Sequence, residues 1–370
     1  MPLRRRRETN PDSSSALFRS HPFKGLEVAL MPDTWQGSET TTALQALNRA
    51  RARLWSLIPS VAVAIAVLLA ADVSGRAGRR DSTQGDDRSA PLLRGAIDIH
   101  VHTDPDNVPR SIDGLDAAKM ALASGMRGIV LKNHYDPTAG LAFLARKEAP
   151  GLEAFGGIDL NLPVGGMNAA AVEHLTQVAG GWGKVVWMST FDAENQVRYS
   201  KEDRPFVSVA RNGALLPETR AVITAIARHD LVLATGHTSA SEALLLLQEG
   251  RRQGVKHMVV THAMNPPIEM DIAGMRAAVK EGAFIEFVSG GLSEPGAASR
   301  LDRYVAAMRL IGPGSCIASS DLGQKGNPLP HVGFAAFVQE LQKRGLAASE
   351  TDRMTKENPA KLLGLRSRQD

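Results

Sequence analysis

The strongest constraint in this sequence is a regular alternation of short apolar runs and segments with helical periodicity, which begins at Ala96. An apolar run followed by a helical segment is typical of a β/α unit in a parallel sheet. The eight runs cover residues 96–102, 128–134, 153–160, 184–190, 231–237, 257–262, 283–289 and 315–321. The helices are predicted to begin near Asp113, Thr138, Met167, Pro217, Ser239, Asp271, Ala297 and His331.

Eight such units match a closed barrel. Residues 95–365 form a stretch of 271 residues, close to the roughly 250 residues of a typical (β/α)₈ barrel. A doubly wound sheet is the alternative, but it would carry a glycine-rich phosphate-binding turn after its first strand. The sequence at that point is HVHTDPD. We therefore predict an α/β protein with a (β/α)₈ TIM barrel over residues 95–370.

Residues 1–94 are predicted to form an N-terminal extension. Its residues 54–71 are 18 uncharged and mainly apolar residues, which as a helix would extend about 27 Å against a bilayer core of about 30 Å. This segment fits a membrane anchor, a secretory signal that begins at Met31, or upstream DNA translated by mistake. Residues 72–94 are rich in Gly, Ser, Asp and Arg, and are predicted to form a flexible tether.

The three alternatives for residues 54–71 lead to different locations. A mistaken start predicts a cytoplasmic barrel, whereas an anchor or a signal predicts a membrane-anchored or exported one. Arginines flank the segment on both sides, so the positive-inside rule gives no orientation. In each case we expect membrane contact only through residues 54–71.

Charge and cysteine content exclude other classes of function. Residues 1–94 contain 14 Lys and Arg against 9 Asp and Glu, a net charge of +5, while residues 95–370 contain 29 against 30, a net charge of −1. A neutral domain lacks the basic surface that nucleic-acid affinity requires, so we expect no nucleic-acid partner. Because Cys316 is the only cysteine, a metal must be held by His, Asp, Glu or a modified Lys.

Five of the ten histidines fall at the predicted C-terminal ends of strands, which in a barrel surround the active-site mouth. His100 and His102 end the first strand, His134 the second, His237 the fifth and His262 the sixth, while Asp321 ends the eighth. Residues i and i+2 of a strand point to the same side, so His100 and His102 can share one metal. Imidazole and carboxylate ligands suit Zn²⁺ and similar divalent ions.

This constellation resembles the amidohydrolase superfamily. The resemblance rests on IDIHVHTD, ATGHTS, VTHAMNPP and ASSDLG at the ends of strands 1, 5, 6 and 8, and on the closing ENPAKLLGL of residues 357–365. It extends over essentially residues 95–365. It implies one or two divalent ions per chain, most typically Zn²⁺, with the ligands His100, His102, His237, His262 and Asp321, and with Asp321 also as general base.

One position departs from the pattern of the superfamily. Binuclear members carry a carbamylated Lys or a Glu at the end of strand 4, whereas this strand ends in WMST. Lys132, two residues before His134 on the same face of strand 2, could supply a bridging carbamate. Alternatively, the site holds one metal, and Lys132 pairs with a carboxylate or binds substrate.

The ligand chemistry predicts hydrolysis of an amide, cyclic amide or lactone, or deamination of a small substrate. A divalent metal lowers the pKa of bound water from 15.7 to about 7. Asp321 could then take the proton and pass it to the leaving group. Either His237 or His134 could stabilise the developing oxyanion.

Candidate substrate-binding residues follow several strands. The longest predicted loop, residues 191–216, has a length that is usually functional and could form a lid. Its Arg198 and Tyr199, together with Arg110, His134 and Lys325, would favour a substrate that carries a carboxylate. The alternative is that the charged members of this set are simply solvated.

Two other functions remain open at this point. The opening IDIHVHT also resembles histidinol-phosphatase-like phosphoesterases, but the Asp-x-His that closes their site is missing, since Leu322 and Gly323 follow Asp321. A catalytically inactive barrel that binds a metal or a ligand is the third hypothesis. For the enzyme, we expect a small-molecule substrate and a homo-oligomeric assembly.

Overall fold

The computed structural model describes residues 90–290 and 296–366. A helical turn at Ala90–Leu93 leads into the first strand. The apolar segment of residues 54–71 and nearly all of the predicted tether lie outside the described residues. Within the described ranges, no helix combines the length and apolar character needed to cross a membrane.

Eight parallel strands form a single sheet in chain order. They are β1 (Ile97–His102), β2 (Gly128–Lys132), β3 (Glu153–Asp159), β4 (Gly183–Trp187), β5 (Val232–Ala234), β6 (His257–Val260), β7 (Phe284–Val288) and β8 (Cys316–Ser319). The chain beyond β8 bonds back to β1, because Asp321 N–H donates to His100 O at 2.9 Å and His102 N–H donates to Leu322 O at 2.8 Å. The predicted (β/α)₈ barrel is confirmed.

A helix follows each strand. The helices are α1 (Gly114–Ala123), α2 (Ala139–Glu148), α3 (Ala169–Gln177), α4 (Pro217–Arg228), α5 (Ala240–Arg252), α6 (Ile272–Lys280), α7 (Ala297–Ile311) and α8 (Pro330–Lys343). Asp113, Ser239 and Asp271 are N-caps whose side chains accept backbone N–H groups. These caps explain why the helix starts could be predicted from the sequence to within about two residues.

The apolar residues form two layers, one between strands and helices and one inside the barrel. In β1 the register against β2 shifts between Asp98 and Val101. Ile97 and Ile99 belong to the inner layer and Val101 to the outer one. This bulge resets the alternation of side chains just before the two histidines, so that His100 and His102 share the inner face.

The C-terminal segment closes the barrel at the end opposite the histidines. Leu362, the last residue of the short helix Asn358–Leu362, and Leu363, its C-cap, belong to the inner apolar layer. Asn358 Nδ2 donates to Pro313 O at 2.8 Å and to Cys316 O at 2.7 Å. The ENPAKLLGL segment therefore fills the bottom of the barrel, a structural role, and covers that end of it.

The connection from β4 to α4 is more ordered than the loop predicted for residues 191–216. It contains a helix at Glu194–Tyr199 and a two-stranded hairpin formed by Ala210–Arg211 and Ala214–Leu215. The hairpin and the short helix are too small to leave a clear periodic signal in the sequence.

Candidate metal centre

The predicted metal ligands come together at the C-terminal ends of the strands. Asp321 Oδ1 lies 3.2 Å from His100 Nε2 and 3.1 Å from His102 Nε2. One ligand atom from each of these three residues lies within 4.8 Å of the others. The four predicted histidine ligands are buried. The Asp321 side chain is 19% exposed and faces the mouth of the barrel.

His237 and His262 form the adjoining half of the cluster. Their Nε2 atoms are 3.2 Å apart, and the rings of His262 and His100 are separated by 5.9 Å between centroids. His262 and Asp321 both have left-handed backbone conformations, with φ of 24° and 51°. Such conformations are uncommon for residues with a Cβ and concentrate at functional sites.

The protonation of His237 follows from its neighbour Gln196, which sequence reasoning missed. Gln196 Oε1 lies 2.8 Å from His237 Nδ1, and the Gln196 amide nitrogen donates to Ser200 Oγ at 2.8 Å. In this orientation of the amide the oxygen accepts from the ring, so His237 carries its proton on Nδ1 and directs the Nε2 lone pair toward His262. Gln196 lies in the predicted loop, and no sequence signal pointed to it.

His100 is oriented in the same way by Glu286, a second residue that sequence reasoning missed. Glu286 Oε1 lies 3.1 Å from His100 Nδ1. The signal that could have found Glu286 is a lone acidic residue inside the apolar run AFIEFVS, because a charge in a buried strand requires partners.

Lys132 also reaches the cluster. Its Nζ lies 3.2 Å from His100 Nε2, 3.5 Å from Asp159 Oδ2 and 5.1 Å from the centre of the Trp187 ring. Lys132 and Asp159 are both buried. Asp159 ends β3 and was also missed, although GIDLNL places it at a strand end like the predicted ligands.

His134 stands beside the cluster and is held by a hydrogen-bonded network. Its ring stacks between His102 and Phe191, with centroid distances of 4.8 and 3.7 Å. His134 Nδ1 lies 2.9 Å from Thr190 Oγ1, which itself donates to Asp159 Oδ2 at 2.9 Å. Thr190 can therefore only accept from His134, so the His134 proton lies on Nδ1 and Nε2 is left as an acceptor.

The other predicted substrate-binding residues are not gathered at the cluster. Arg110 donates from Nε and Nη2 to the buried Asp106, at 2.8 and 2.6 Å, so its charge is already paired. Arg198 pairs with Glu194 at the surface, Tyr199 is 53% exposed and Lys325 is exposed. Among the described residues, Arg198, Tyr199 and Lys325 make no hydrogen bond or ion pair to the cluster, and their role in substrate binding stays a prediction.

The electrostatics of the site favour ionised carboxylates beside neutral imidazoles at three of the histidines. Burial holds the pKa values of His102, His134 and His237 well below their ordinary value. Burial would also raise the pKa of Asp321, but the nearby charge on His100 and the hydrogen bond from His102 hold it well below the usual range. For His100, burial is outweighed by the negative charges of Asp321 and Glu286, which raise its pKa.

This donor set fits a divalent cation. The Nε2 lone pair of His237 faces His262 Nε2 at 3.2 Å, and the Nε2 of His100 faces the Asp321 carboxylate at 3.2 Å. Imidazole nitrogens and a carboxylate that converge in this way are the ligands of a divalent cation, which takes the place of ligand protons in such a site. Asp321 and Glu286, whose pKa values are both lowered, supply two negative charges to match it.

Fold and site together define a (β/α)₈ barrel with a histidine and aspartate cluster that can hold a metal. The chain belongs to a family of unknown function, DUF6282, which matches residues 95–286. That match includes all the cluster histidines and Glu286, but not Asp321. No curated protein matches the sequence significantly.

Three solved structures illustrate the similarity in fold. An amidohydrolase from Pseudomonas aeruginosa is 12% identical, with a TM-score of 0.52, over 74% of this chain and 98% of that one. A probable 2-pyrone-4,6-dicarboxylic acid hydrolase from Acinetobacter baumannii is 12% identical, with a TM-score of 0.51, over 73% and 100%. The phosphotriesterase homology protein from Escherichia coli is 14% identical, with a TM-score of 0.50, over 73% and 99%. At these identities the similarity confirms the predicted resemblance to the superfamily at the level of the fold.

Proposed function

We propose that the protein is a metal-dependent hydrolase that cleaves a C–N or C–O acyl bond of a small substrate. The observation that carries the proposal is the convergence of four imidazoles and Asp321 at the open end of the barrel, with Nε2 of His237 and of His262 facing each other at 3.2 Å. His100, His102, His237, His262 and Asp321 would hold the ion, for which Zn²⁺ is the first candidate.

A divalent ion held by these residues would acidify water and polarise the carbonyl group of the substrate. The protein residues would then handle the protons. Asp321 reaches the mouth, and its depressed pKa keeps it ionised, so that its carboxylate accepts the proton of the attacking water and returns it to the leaving group. His134 presents Nε2 as an acceptor, which suits it to hold an N–H or O–H group of the substrate rather than an oxyanion.

We further propose that the centre holds one ion rather than two. A bridging carbamate on Lys132 would place a negative group beside Asp159, whose Oδ2 is 3.5 Å from Lys132 Nζ. As an ammonium group, Lys132 instead pairs with Asp159, which leaves the imidazoles and Asp321 to bind a single cation.

Metal content by mass spectrometry on the purified full chain tests the proposal. We expect about one equivalent of a divalent metal in the wild-type protein and a large loss in His237→Ala. His174→Ala is the matched control, because His174 is an exposed histidine on α3. Absence of metal after reloading at neutral pH would refute the proposal and favour an inactive binding barrel.

A substrate panel tests the reaction class. Simple amides, cyclic amides, lactones and phosphomonoesters would be assayed with wild-type protein and with Asp321→Asn. We expect turnover of an acyl substrate that falls by about 10²- to 10⁴-fold in Asp321→Asn with metal still bound. Turnover of phosphomonoesters alone would instead favour the phosphoesterase hypothesis.

A further inference from the structure

Glu286 is a buried carboxylate in β7 on which three donors converge. His100 Nδ1–H and Ser319 Oγ–H donate to Oε1 at 3.1 and 2.6 Å, and the backbone N–H of His262 donates to Oε2 at 2.9 Å. These donors come from β1, from the end of β8 and from the end of β6. One carboxylate therefore connects three separate parts of the barrel mouth.

We infer that Glu286 is the positioning residue of the metal centre, which orients His100 and His262 for the cation without binding it. This inference rests on the proposed metal-dependent function. Both carboxylate oxygens are already engaged by donors, so Glu286 acts through the two histidines.

The contact with His100 determines which ring nitrogen is available. An ionised carboxylate only accepts hydrogen bonds, so His100 Nδ1 carries a proton, and Nε2 is the ring nitrogen left for the cation. His100 Nε2 is the atom that lies 3.2 Å from Asp321 Oδ1. A carboxylate behind a metal-binding imidazole also raises the basicity of the ligand.

The contact with His262 acts on the backbone. His262 leaves β6 in a left-handed conformation, with φ of 24°, and its N–H points to Glu286 Oε2. A buried N–H needs an acceptor, and here the acceptor stabilises the turn that directs the His262 ring at His237. Glu286 thus holds ligands on both halves of the cluster.

The same three donors stabilise the carboxylate of Glu286 in its buried position. Together with Asp321, Glu286 balances the charge of a divalent ion.

Glu286→Gln is the direct test, because an amide cannot serve all three donors. If the amide oxygen faces His100, the amide N–H₂ group points at the N–H of His262, and two donors oppose each other. If the amide is flipped, its N–H₂ group points at His100 Nδ1 and favours the tautomer with the proton on Nε2. The readout is affinity for Zn²⁺ by competition with a chromophoric chelator, together with the visible spectrum of the Co²⁺-loaded full chain. Neither measurement depends on turnover.

We expect Glu286→Gln to weaken Zn²⁺ binding by about 10- to 100-fold and to change the Co²⁺ spectrum. Ser319→Ala removes one donor and leaves the charge, so we expect a smaller loss of about two- to tenfold. Glu249→Gln is the matched control, since Glu249 pairs with Arg252 on α5, away from the cluster, and should bind like wild type.

An affinity of Glu286→Gln within about twofold of wild type, with an unchanged Co²⁺ spectrum, would overturn the inference while the proposed function stands. If Glu286→Gln does not fold, Ser319→Ala decides: wild-type affinity and spectrum would overturn the inference. A wild-type protein that binds neither ion would overturn the proposed function, and the inference with it.

Discussion

Asn161, a fully buried residue just after β3, offers a sharp test of how the site is held in place. Its Oδ1 accepts from Thr190 N–H at 2.9 Å, Asp192 N–H at 3.1 Å and Ser189 Oγ–H at 2.8 Å. Its Nδ2 donates to His134 O at 2.6 Å and to Thr190 Oγ1 at 2.8 Å. This one side chain ties the ends of β2, β3 and β4 together.

Asn161→Ala would leave three buried backbone groups without a partner, namely the N–H groups of Thr190 and Asp192 and the carbonyl of His134. Each unpaired buried group costs about 1 to 2 kcal/mol, so we expect a loss of about 3 to 6 kcal/mol in the free energy of unfolding. For a domain of this size the midpoint of thermal unfolding should fall by roughly 10 °C.

Scanning calorimetry of the full chain measures this loss. Asn168→Ala makes the same change at the N-cap of α3, where Oδ1 accepts from Ala170 and Ala171. Loss of a cap costs about 1 kcal/mol, so the two variants should differ clearly. If Asn161→Ala is as stable as Asn168→Ala, the buried backbone groups of Thr190, Asp192 and His134 do not depend on Asn161. That result would indicate that water replaces its side chain.

Four further predictions follow from single residues. Nitrogen-15 NMR should find His134 neutral and protonated on Nδ1 at neutral pH, and Thr190→Val should mix its tautomers; an Nε2–H tautomer in the wild type would contradict the network. Burial raises the pKa of Asp98 from 3.8 to about 6. The folded state therefore binds a proton at Asp98 more tightly than the unfolded state does. The free energy of unfolding of the wild type should fall by up to about 3 kcal/mol as the pH rises from about 4 to above 6. Denaturant titrations at several pH values should show that Asp98→Asn removes this part of the pH dependence. An unchanged pH dependence of the free energy of unfolding would contradict the raised pKa of Asp98. Burial raises the pKa of Cys316 to about 12, so alkylating reagents should modify it only after unfolding, and rapid labelling of the native chain would refute its burial. Carbon-13 NMR with labelled bicarbonate should show no carbamate on Lys132; a carbamate signal lost in Lys132→Ala would refute the single-ion centre.

Much of the architecture was predictable because its signals are local. Apolar runs of strand length and polar residues at helix N-caps are properties of neighbouring residues, and the eight predicted strands and helix starts agree with the structure. The positions of His100, His102, His237, His262 and Asp321 at strand ends were also readable, since parallel strands in a barrel end at the same face.

The residues that orient these side chains were not predictable in the same way. Glu286 is 186 positions from His100 along the chain, and Gln196 is 41 positions from His237. Their contacts exist only because the sheet closes and the β4 to α4 connection folds over its mouth. No local pattern contains that information.

Local periodicity was therefore enough to predict a barrel and which imidazoles and carboxylate meet at its mouth. Only the closed structure decided where the protons lie on the histidines. It also decided that Arg110 pairs with Asp106 and that Lys132 lies beside Asp159. The physical reason is that backbone propensity acts between neighbours, whereas proton positions and buried charges depend on every group that packing brings within hydrogen-bond distance.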